Sequence, residues 1–248
     1  MAELFPRRVV SIDPPRPGSN TISNPYFGEL DDGLSYCIKH DGQGWPVRAS
    51  EFLATELCGA IGMAVPPYKI AEMPDGAINF ASQILHDRTT TDAWLLAAIP
   101  IHRGTEQLSK VYAFDLFSCN DDRHAKNFLV RSQNSVDRLF VMDFSHTFFA
   151  KWPQWPDPPL LPVTPSRNTV DVGRMIRRSY GFSEAAAVGC LDEISRIDCD
   201  TIKAIMAAMP RGWLQNDVSS AFVKWWCEGG KDRRIQLLEK GLRDGTLL

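Results

Sequence analysis

The sequence predicts an α+β fold with two lobes, a small β-rich N-terminal lobe and a mainly helical C-terminal lobe. Before residue 86, short apolar runs alternate with turns rich in Gly, Pro and Asp, and only one segment has helical spacing. From residue 91 onward, apolar residues recur mainly at helical intervals. We therefore expect two domains, residues 1–86 and residues 87–248, that share a cleft. A chain of 248 residues is long enough to bury a sizeable core.

The N-terminal lobe is predicted to contain strands around a single helix. A loop and a short strand lead to a turn at 31–33, and a strand follows at 34–40. Two more strands are expected at 68–71 and 77–84. The helix is expected over 49–64, because one face is apolar and two prolines stop the helix. The residues that predict it are Leu53, Leu57, Ala60, Ile61, Ala64, Pro66 and Pro67.

The C-terminal lobe is predicted to consist of helices and one β-hairpin. In the hairpin, residues 128–131 pair with residues 138–144 across a polar turn. Six prolines between residues 152 and 166 exclude regular structure there, since proline has no backbone N–H to donate. The apolar spacing predicts helices at 91–98, 106–120, 183–195, 199–208, 215–227 and 230–243.

Charge and hydropathy restrict the classes of partner. The chain has 27 basic and 30 acidic residues, so it offers no basic field for nucleic acid, and we expect no direct nucleic-acid binding. No stretch approaches the roughly 20 apolar residues that a transmembrane helix needs. The first ten residues carry charges and no long apolar run, so they do not form a signal peptide. These features predict a cytoplasmic protein.

The cysteines point to the same compartment. Six cysteines are scattered along the chain without a Cys-x-x-Cys pair. This spacing argues against a zinc site built on paired cysteines and against a disulfide framework. Most of them lie among apolar residues, so we expect buried free thiols in a reducing cytosol.

The most informative segment for chemistry runs from Asn120 to Asn127 and is followed by Asp143-Phe144. Asp122 precedes Asn127 by five residues, and Asp143 follows Asn127 by sixteen. Phosphoryl transfer needs a base for the acceptor hydroxyl and oxygen ligands for Mg²⁺ on the nucleotide phosphates. Asp122 is predicted as the base, and Asn127 and Asp143 as the metal ligands. Their order and spacing favour phosphoryl transfer from ATP.

Other side chains are predicted to orient the phosphates. His124 and Lys126 lie in the same loop as Asp122 and contact phosphate or maintain the loop's shape. Lys39, at the end of an apolar strand, is the candidate phosphate-orienting lysine, and a carboxylate on the next helix should pair with it. Glu51 and Glu56 are the two candidates. Glu56 flanks the apolar stripe of that helix, whereas Glu51 lies opposite to it.

A polar loop near the N-terminus is the candidate cover for the phosphates. It runs from residue 18 to residue 24, and Ser19 and Asn20 are the predicted nucleotide-binding residues. The loop lacks the repeated glycines of either phosphate-loop fingerprint, so an ordinary polar loop explains it equally well. Its hydroxyl groups also suggest self-phosphorylation at Ser19, Thr21 or Ser23.

These residues resemble the catalytic centre of the HipA-like kinases, a bacterial branch of the protein-kinase-like fold. That family has the pattern Asn-x-Asp-x-His-x-Lys-Asn in its catalytic loop and a metal-binding Asp further on. The matching residues here are Asn120, Asp122, His124, Lys126, Asn127 and Asp143. A helix that begins with Glu, followed by Leu, Gly and Pro, is matched by Glu51, Leu57, Gly62 and Pro66. The resemblance therefore favours Glu51 over Glu56.

The resemblance implies a two-lobed protein-kinase-like fold and a serine/threonine protein kinase that uses ATP and Mg²⁺. ATP would lie in the cleft near residues 82–86. Its partner would be a protein substrate that carries the acceptor hydroxyl.

Three alternatives remain open. Asp122-Arg123-His124 with Asn127 is also similar to the catalytic loop of phosphatidylinositol kinases, although Ser145 replaces the glycine that follows their Asp-Phe. A lipid kinase would need a membrane-facing surface, for which Trp152 and Trp155 are candidates. A small-molecule kinase would need an acidic pocket. A pseudokinase would bind nucleotide without turnover, but such proteins usually lack at least one of the chemical residues that this chain has.

Overall fold

The structure is a computed structural model of the 248-residue chain. It describes residues 5–14, 25–41, 44–85, 101–133, 136–151 and 168–248. Four predictions lie outside these residues, namely the helix at 91–98, the loop with Ser19 and Asn20, the irregular segment at 152–166, and the surface with Trp152 and Trp155. Within them, the chain is a mixed α and β protein whose N-terminal part is β-rich and whose C-terminal part is mainly helical.

Five strands of the N-terminal part form a closed barrel in the order β1-β2-β3-β5-β4. Neighbouring strands are antiparallel except β1 and β4, which pair in parallel and close the barrel. Closure leaves no free edge that another chain could extend. The strands are β1 (Arg7–Ile12), β2 (Tyr26–Leu30), β3 (Ser35–Lys39), β4 (Tyr68–Glu72) and β5 (Ile78–Gln83).

Strand β1 was not expected from the sequence. It begins with two arginines, and all of its residues except the half-buried Val9 are exposed, so it lacks the alternation that marks a strand. Its conformation depends instead on pairing with β2 on one side and β4 on the other. Such pairing joins distant parts of the chain and leaves no local pattern.

The helix of the barrel part, α1 (Val47–Ala60), is buried on more than one face. Ten of its 14 residues are buried. Phe52 packs edge to face against Tyr68 of the barrel, and Ser50 donates a hydrogen bond to the carbonyl of Thr147 in the C-terminal part. If the helix had a single buried face, Glu51 would be exposed, because it lies opposite the apolar stripe. The structure gives the helix two, and Glu51 lies on the second.

The C-terminal part begins with α2 (Ile101–Ser118) and the hairpin of β6 (Phe128–Gln133) and β7 (Val136–Val141). The helices expected in the last third of the chain are present close to their expected bounds, whereas α3 was missed. The helices of this region are α3 (Asn168–Ser179), which was not predicted, and the four predicted ones, α4 (Glu184–Ser195), α5 (Cys199–Ala208), α6 (Asn216–Cys227) and α7 (Gly230–Arg243). Across the described ranges, no helix is both long enough and apolar enough to cross a bilayer.

Aromatic packing forms the centre of the helical part. Phe222 of α6 contacts Phe148, which follows the candidate site, and Trp226 of α6 contacts Phe117 of α2. Phe117 and Phe148 also contact each other, as do Phe222 and Trp226. Aromatic pairs at these distances add stabilisation beyond their buried area. The segment after Asp143 is therefore anchored in the helical core.

One pair of cysteines departs from the expectation of free thiols. Cys199, at the start of α5, and Cys227, at the end of α6, form a disulfide with Cα atoms 5.3 Å apart. They are 28 residues apart in sequence, and the packing of the two helices brings them together. The other four cysteines are free thiols, as expected, and three of them are buried.

Candidate active site

Three charged side chains from distant parts of the chain meet at one point. Lys39 lies at the end of β3, Glu51 on α1, and Asp143 two residues after β7. Lys39 Nζ is 2.7 Å from Asp143 Oδ1 and 3.2 Å from Glu51 Oε1. Lys39 and Glu51 are almost fully buried, and the side chain of Asp143 remains 36% exposed. The cluster therefore links the barrel part to the helical part and leaves one carboxylate accessible.

One ammonium group is shared by two carboxylates, and this determines the charge state of all three. Burial alone lowers the pKa of Lys39, but Asp143 and then Glu51 outweigh burial and raise it above its usual value. Burial favours a higher pKa for Asp143, but the Lys39 ammonium overcomes this and holds that pKa well below its ordinary range. Burial raises the pKa of Glu51, and attraction to Lys39 offsets only part of this rise. Asp143 is therefore ionised at neutral pH and suited to a cation.

Asp143 adopts a left-handed backbone conformation, with φ at 62°. This region is unfavourable for most residues with a side chain and is tolerated best by Asn and Asp. The next residue secures the bend, because the N–H of Phe144 donates a hydrogen bond of 3.0 Å to Glu51 Oε1. A strained aspartate held by a neighbouring buried carboxylate is a common feature of functional sites.

The candidate base, Asp122, is held through both its side chain and its backbone. Its Oδ1 accepts a hydrogen bond of 2.6 Å from Asn168 Nδ2. Its N–H donates to Asn120 Oδ1, and its carbonyl accepts from Asn127 Nδ2. Asn120 is itself fully buried and donates to Asp115 on α2. The loop that carries Asp122 is therefore fixed on several sides.

Arg123 holds the same loop through buried contacts. It is fully buried and forms a two-pronged ion pair with Asp115, with distances of 2.8 and 2.9 Å. It also donates to the carbonyl of Met142, and its guanidinium lies over the rings of Phe128 and Phe144. Burial alone lowers the pKa of Arg123, and the Asp115 carboxylate more than compensates, so the guanidinium stays charged. One side chain thus connects α2, the loop and the hairpin.

The predicted metal ligands lie beside each other at the base of the hairpin. The N–H of Met142, next to Asp143, donates a hydrogen bond of 3.0 Å to the carbonyl of Asn127. The Nδ2 of Asn127 is engaged by Asp122, which leaves its Oδ1 for a cation. Both hydrogen bonds to the Asp143 carboxylate end on Oδ1, and Oδ2 has no partner among the described residues.

This donor set fits Mg²⁺. A carboxylate and an amide oxygen are the hard ligands that Mg²⁺ prefers, and it usually keeps water and phosphate oxygens for its remaining positions. Among the described residues, no group of three or more His, Cys, Asp and Glu side chains could hold a metal. A site made only of protein ligands, as structural zinc requires, is therefore absent from that part of the chain.

The other two predicted loop residues are not bonded to the charged cluster in the part of the chain that the structure describes. His124 is half-buried and Lys126 is exposed, and neither side chain makes a hydrogen bond or ion pair within the described parts of the chain. Their contacts with phosphate stay predictions.

The site also contains residues that the sequence did not indicate. Asn168 and Thr169 begin α3, and Thr169 Oγ1 accepts from the N–H of Arg123 at 3.0 Å. Ser145 contacts Lys39, Glu51 and Asp143. Asn168 is the first helical residue of α3 and its Nδ2 binds Asp122, a contact between distant parts of the chain that no local sequence signal indicates. Ser145 was noted only as a substitution for glycine.

Comparison with known proteins agrees with this geometry. A family model described as HipA-like kinase matches residues 15–154. The chain belongs to the HipA-like kinase family. The resemblance seen in the sequence is confirmed, and the matched segment of this HipA-like kinase includes all of the residues that carry it. A comparison with curated proteins found no match.

Solved structures resemble this HipA-like kinase over nearly its whole length. The proinflammatory kinase CtkA of Helicobacter pylori aligns with a TM-score of 0.59 and 13% identity, covering 94% of this chain and 96% of that one. The HipA structure from Shewanella oneidensis, solved with HipB and operator DNA, aligns with a TM-score of 0.49 and 13% identity, covering 97% and 67% of the two chains. The likeness to CtkA shows that the two proteins share a fold.

Proposed function

We propose that this HipA-like kinase transfers the terminal phosphoryl group of ATP to a Ser or Thr hydroxyl of a protein. The proposal includes a two-lobed kinase arrangement, with residues 1–86 and 87–248 on either side of the nucleotide. The observation that carries it is the meeting of Lys39 with Glu51 and Asp143 at 3.2 and 2.7 Å. Protein kinases require both a lysine–glutamate pair and a metal-binding aspartate to be in place.

The acceptor hydroxyl would be activated by Asp122. Asn168 binds Oδ1 of this carboxylate, which leaves Oδ2 to accept the proton as the hydroxyl attacks. The hydrogen bonds that Asp122 donates to Asn120 and accepts from Asn127 would keep the loop from shifting away from the substrate. Because phosphoryl transfer requires little covalent work from the protein, positioning of this kind is most of the contribution.

The nucleotide would be held by charges on both sides of the cleft. Asn127 Oδ1 and Asp143 Oδ2 would bind Mg²⁺, which neutralises phosphate charge when bound. Lys39 would orient the phosphates while Glu51 retains its ammonium group. His124 and Lys126 would contact the phosphates from the catalytic loop, and Ser19 and Asn20 would cover them.

The first test is transfer of label from γ-labelled ATP, with Mg²⁺ and a cell lysate, to protein and lipid fractions separated afterwards. We expect a labelled protein band with the wild type and a loss of about 10²- to 10⁴-fold in Asp122→Ala, the range that general-base catalysis contributes. The matched control is Asp171→Ala, which removes an exposed carboxylate on α3. This control should retain wild-type transfer.

Other outcomes of the same experiment would contradict the proposal. Label only in the lipid fraction would identify a lipid kinase. Nucleotide binding without label in any fraction would indicate a pseudokinase. Equal label with wild type and Asp122→Ala would exclude Asp122 as the base.

A further inference from the structure

Ser145 occupies the centre of the charged cluster. Its hydroxyl is 2.8 Å from Glu51 Oε1, 2.7 Å from Asp143 Oδ1 and 3.1 Å from Lys39 Nζ. The residue is only 2% exposed, so water does not substitute for these contacts. It follows Asp143-Phe144 directly, at the position where the phosphatidylinositol kinases have glycine, which has no side chain to make them.

A serine hydroxyl has one proton to donate and two lone pairs to accept with. Lys39 is a donor only, so it must use one of the lone pairs. The single proton can then reach Glu51 or Asp143, but not both at once. In the structure, one oxygen of each of two carboxylates therefore competes for one hydroxyl proton as well as for one ammonium group.

We propose that Ser145 is a positioning residue that couples cation binding at Asp143 to the Lys39–Glu51 pair. A cation on Asp143 compensates that carboxylate and ends the competition. The hydroxyl then donates its hydrogen bond to Glu51, and its oxygen still accepts one from Lys39. Ser145 thus stabilises the pair in the arrangement that orients the phosphates. This inference rests on the proposed function, because it assigns the cation and the phosphates to this site.

The coupling has a measurable consequence. Without the hydroxyl, Glu51 keeps Lys39 and the Phe144 N–H as its partners among the described residues, and Lys39 is left closest to Asp143. Loss of the hydroxyl weakens mainly the state with a cation bound, because in that state the hydroxyl would donate its proton to Glu51 alone. Hydrogen bonds to charged groups are the stronger class, and losing one corresponds to about 10- to 100-fold in an equilibrium constant.

Calorimetric titration with ADP, with and without Mg²⁺, tests this inference without turnover. We expect Ser145→Ala to weaken binding of ADP with Mg²⁺ by about 10-fold or more and to leave metal-free ADP within about threefold. Ser145→Gly should behave like Ser145→Ala, because neither has a hydroxyl. Ser109→Ala is the matched control, since Ser109 is another fully buried serine, but on α2 and away from the cluster.

A second pair of variants isolates the hydroxyl if Ser145→Ala does not fold. Ser145→Thr and Ser145→Val have nearly the same shape and differ in the hydroxyl group. We expect Ser145→Thr to bind ADP with Mg²⁺ about 10-fold more tightly than Ser145→Val. Equal affinities for these two variants, or an equal loss with and without Mg²⁺ in Ser145→Ala, would overturn the inference.

The wild type separates this inference from the proposed function. If Mg²⁺ does not strengthen ADP binding to the wild-type protein, the proposed nucleotide site is wrong. If Mg²⁺ does so equally in the wild type and in Ser145→Ala, the site stands and only the role of Ser145 is wrong.

Discussion

Buried charges with opposite partners hold the loop that carries Asp122 in place. Arg123 and Asp115 are both fully buried, and the guanidinium uses its nitrogens on Asp115 and on a backbone carbonyl. A buried ion pair is not by itself strong evidence of net stabilisation, because both ions lose their hydration. Removing one partner alone is costly, since it leaves the other charge buried and uncompensated.

We expect Asp115→Asn to lower the free energy of unfolding by about 3 to 5 kcal/mol, because Arg123 would lose the opposite charge. Urea unfolding followed by circular dichroism measures this change. The control is Asp171→Asn, which breaks an ion pair with Arg174 whose side chains are 48% and 62% exposed. It should change stability by less than about 1 kcal/mol. A similar small change in Asp115→Asn would show that the buried pair does not hold the loop.

Helix α3 connects the catalytic loop to the helical core. Its first residues contact Asp122 and Arg123, and further along Gly173 packs directly against the ring of Tyr112 on α2. A Cβ at position 173 would lie 2.5 Å from that ring. The close approach of α3 to α2 therefore requires glycine, and this approach sets how far the start of α3 reaches towards the loop.

We expect Gly173→Ala to destabilise the protein by about 1 to 3 kcal/mol, because the added methyl forces the two helices apart. Gly189→Ala is the matched control in the neighbouring helix α4, where no atom lies within 4 Å of the added Cβ. That change should stabilise the protein by about 0.5 to 1 kcal/mol, since alanine is the better helix former. Differential scanning calorimetry of both variants measures the two effects. If both substitutions changed the stability of the protein in the same direction, this packing would be contradicted.

In the molecule as a whole, the Lys39 cluster joins the barrel to the helical part, so its charge state affects global stability. The pKa of Asp143 is depressed in the folded protein, whereas an unfolded aspartate titrates near pH 3.9. Below that pH the unfolded chain binds more protons at this position than the folded one. The stabilisation by Asp143 is therefore present above about pH 4 and is lost as the pH falls towards the folded value.

Glu51 has the opposite dependence. Burial raises its pKa in the folded protein above the unfolded value, near 4.3. Its contribution is therefore greatest below that unfolded value and is lost as the pH rises through the raised one. The contributions of Asp143 and Glu51 to the stability of the folded protein therefore change in opposite directions with pH, although both carboxylates share the Lys39 ammonium group.

We expect Asp143→Asn to reduce the acid sensitivity of the protein, because asparagine does not titrate. Guanidinium unfolding at several pH values between about 5 and 3 measures the free energy of unfolding in each variant. The wild type should lose stability more steeply over this range than Asp143→Asn. The control Asp171→Asn, which removes an exposed carboxylate, should keep the wild-type slope. A wild-type slope in Asp143→Asn would show that the cluster does not couple Asp143 to global folding.

The sequence by itself determined the family resemblance, most helices and the hairpin, and it predicted chemical roles for the loop residues that stay predictions. These features depend on residues close together in the chain, where apolar spacing and motif order are informative. The tertiary structure decided which glutamate meets Lys39, that Ser145 lies between the charges, that Asn168 holds Asp122, and that β1 closes the barrel. Lys39 and Asp143 are 104 residues apart, and Asp122 and Asn168 are 46 apart. No local pattern records such pairs, because they form only when distant elements pack against each other.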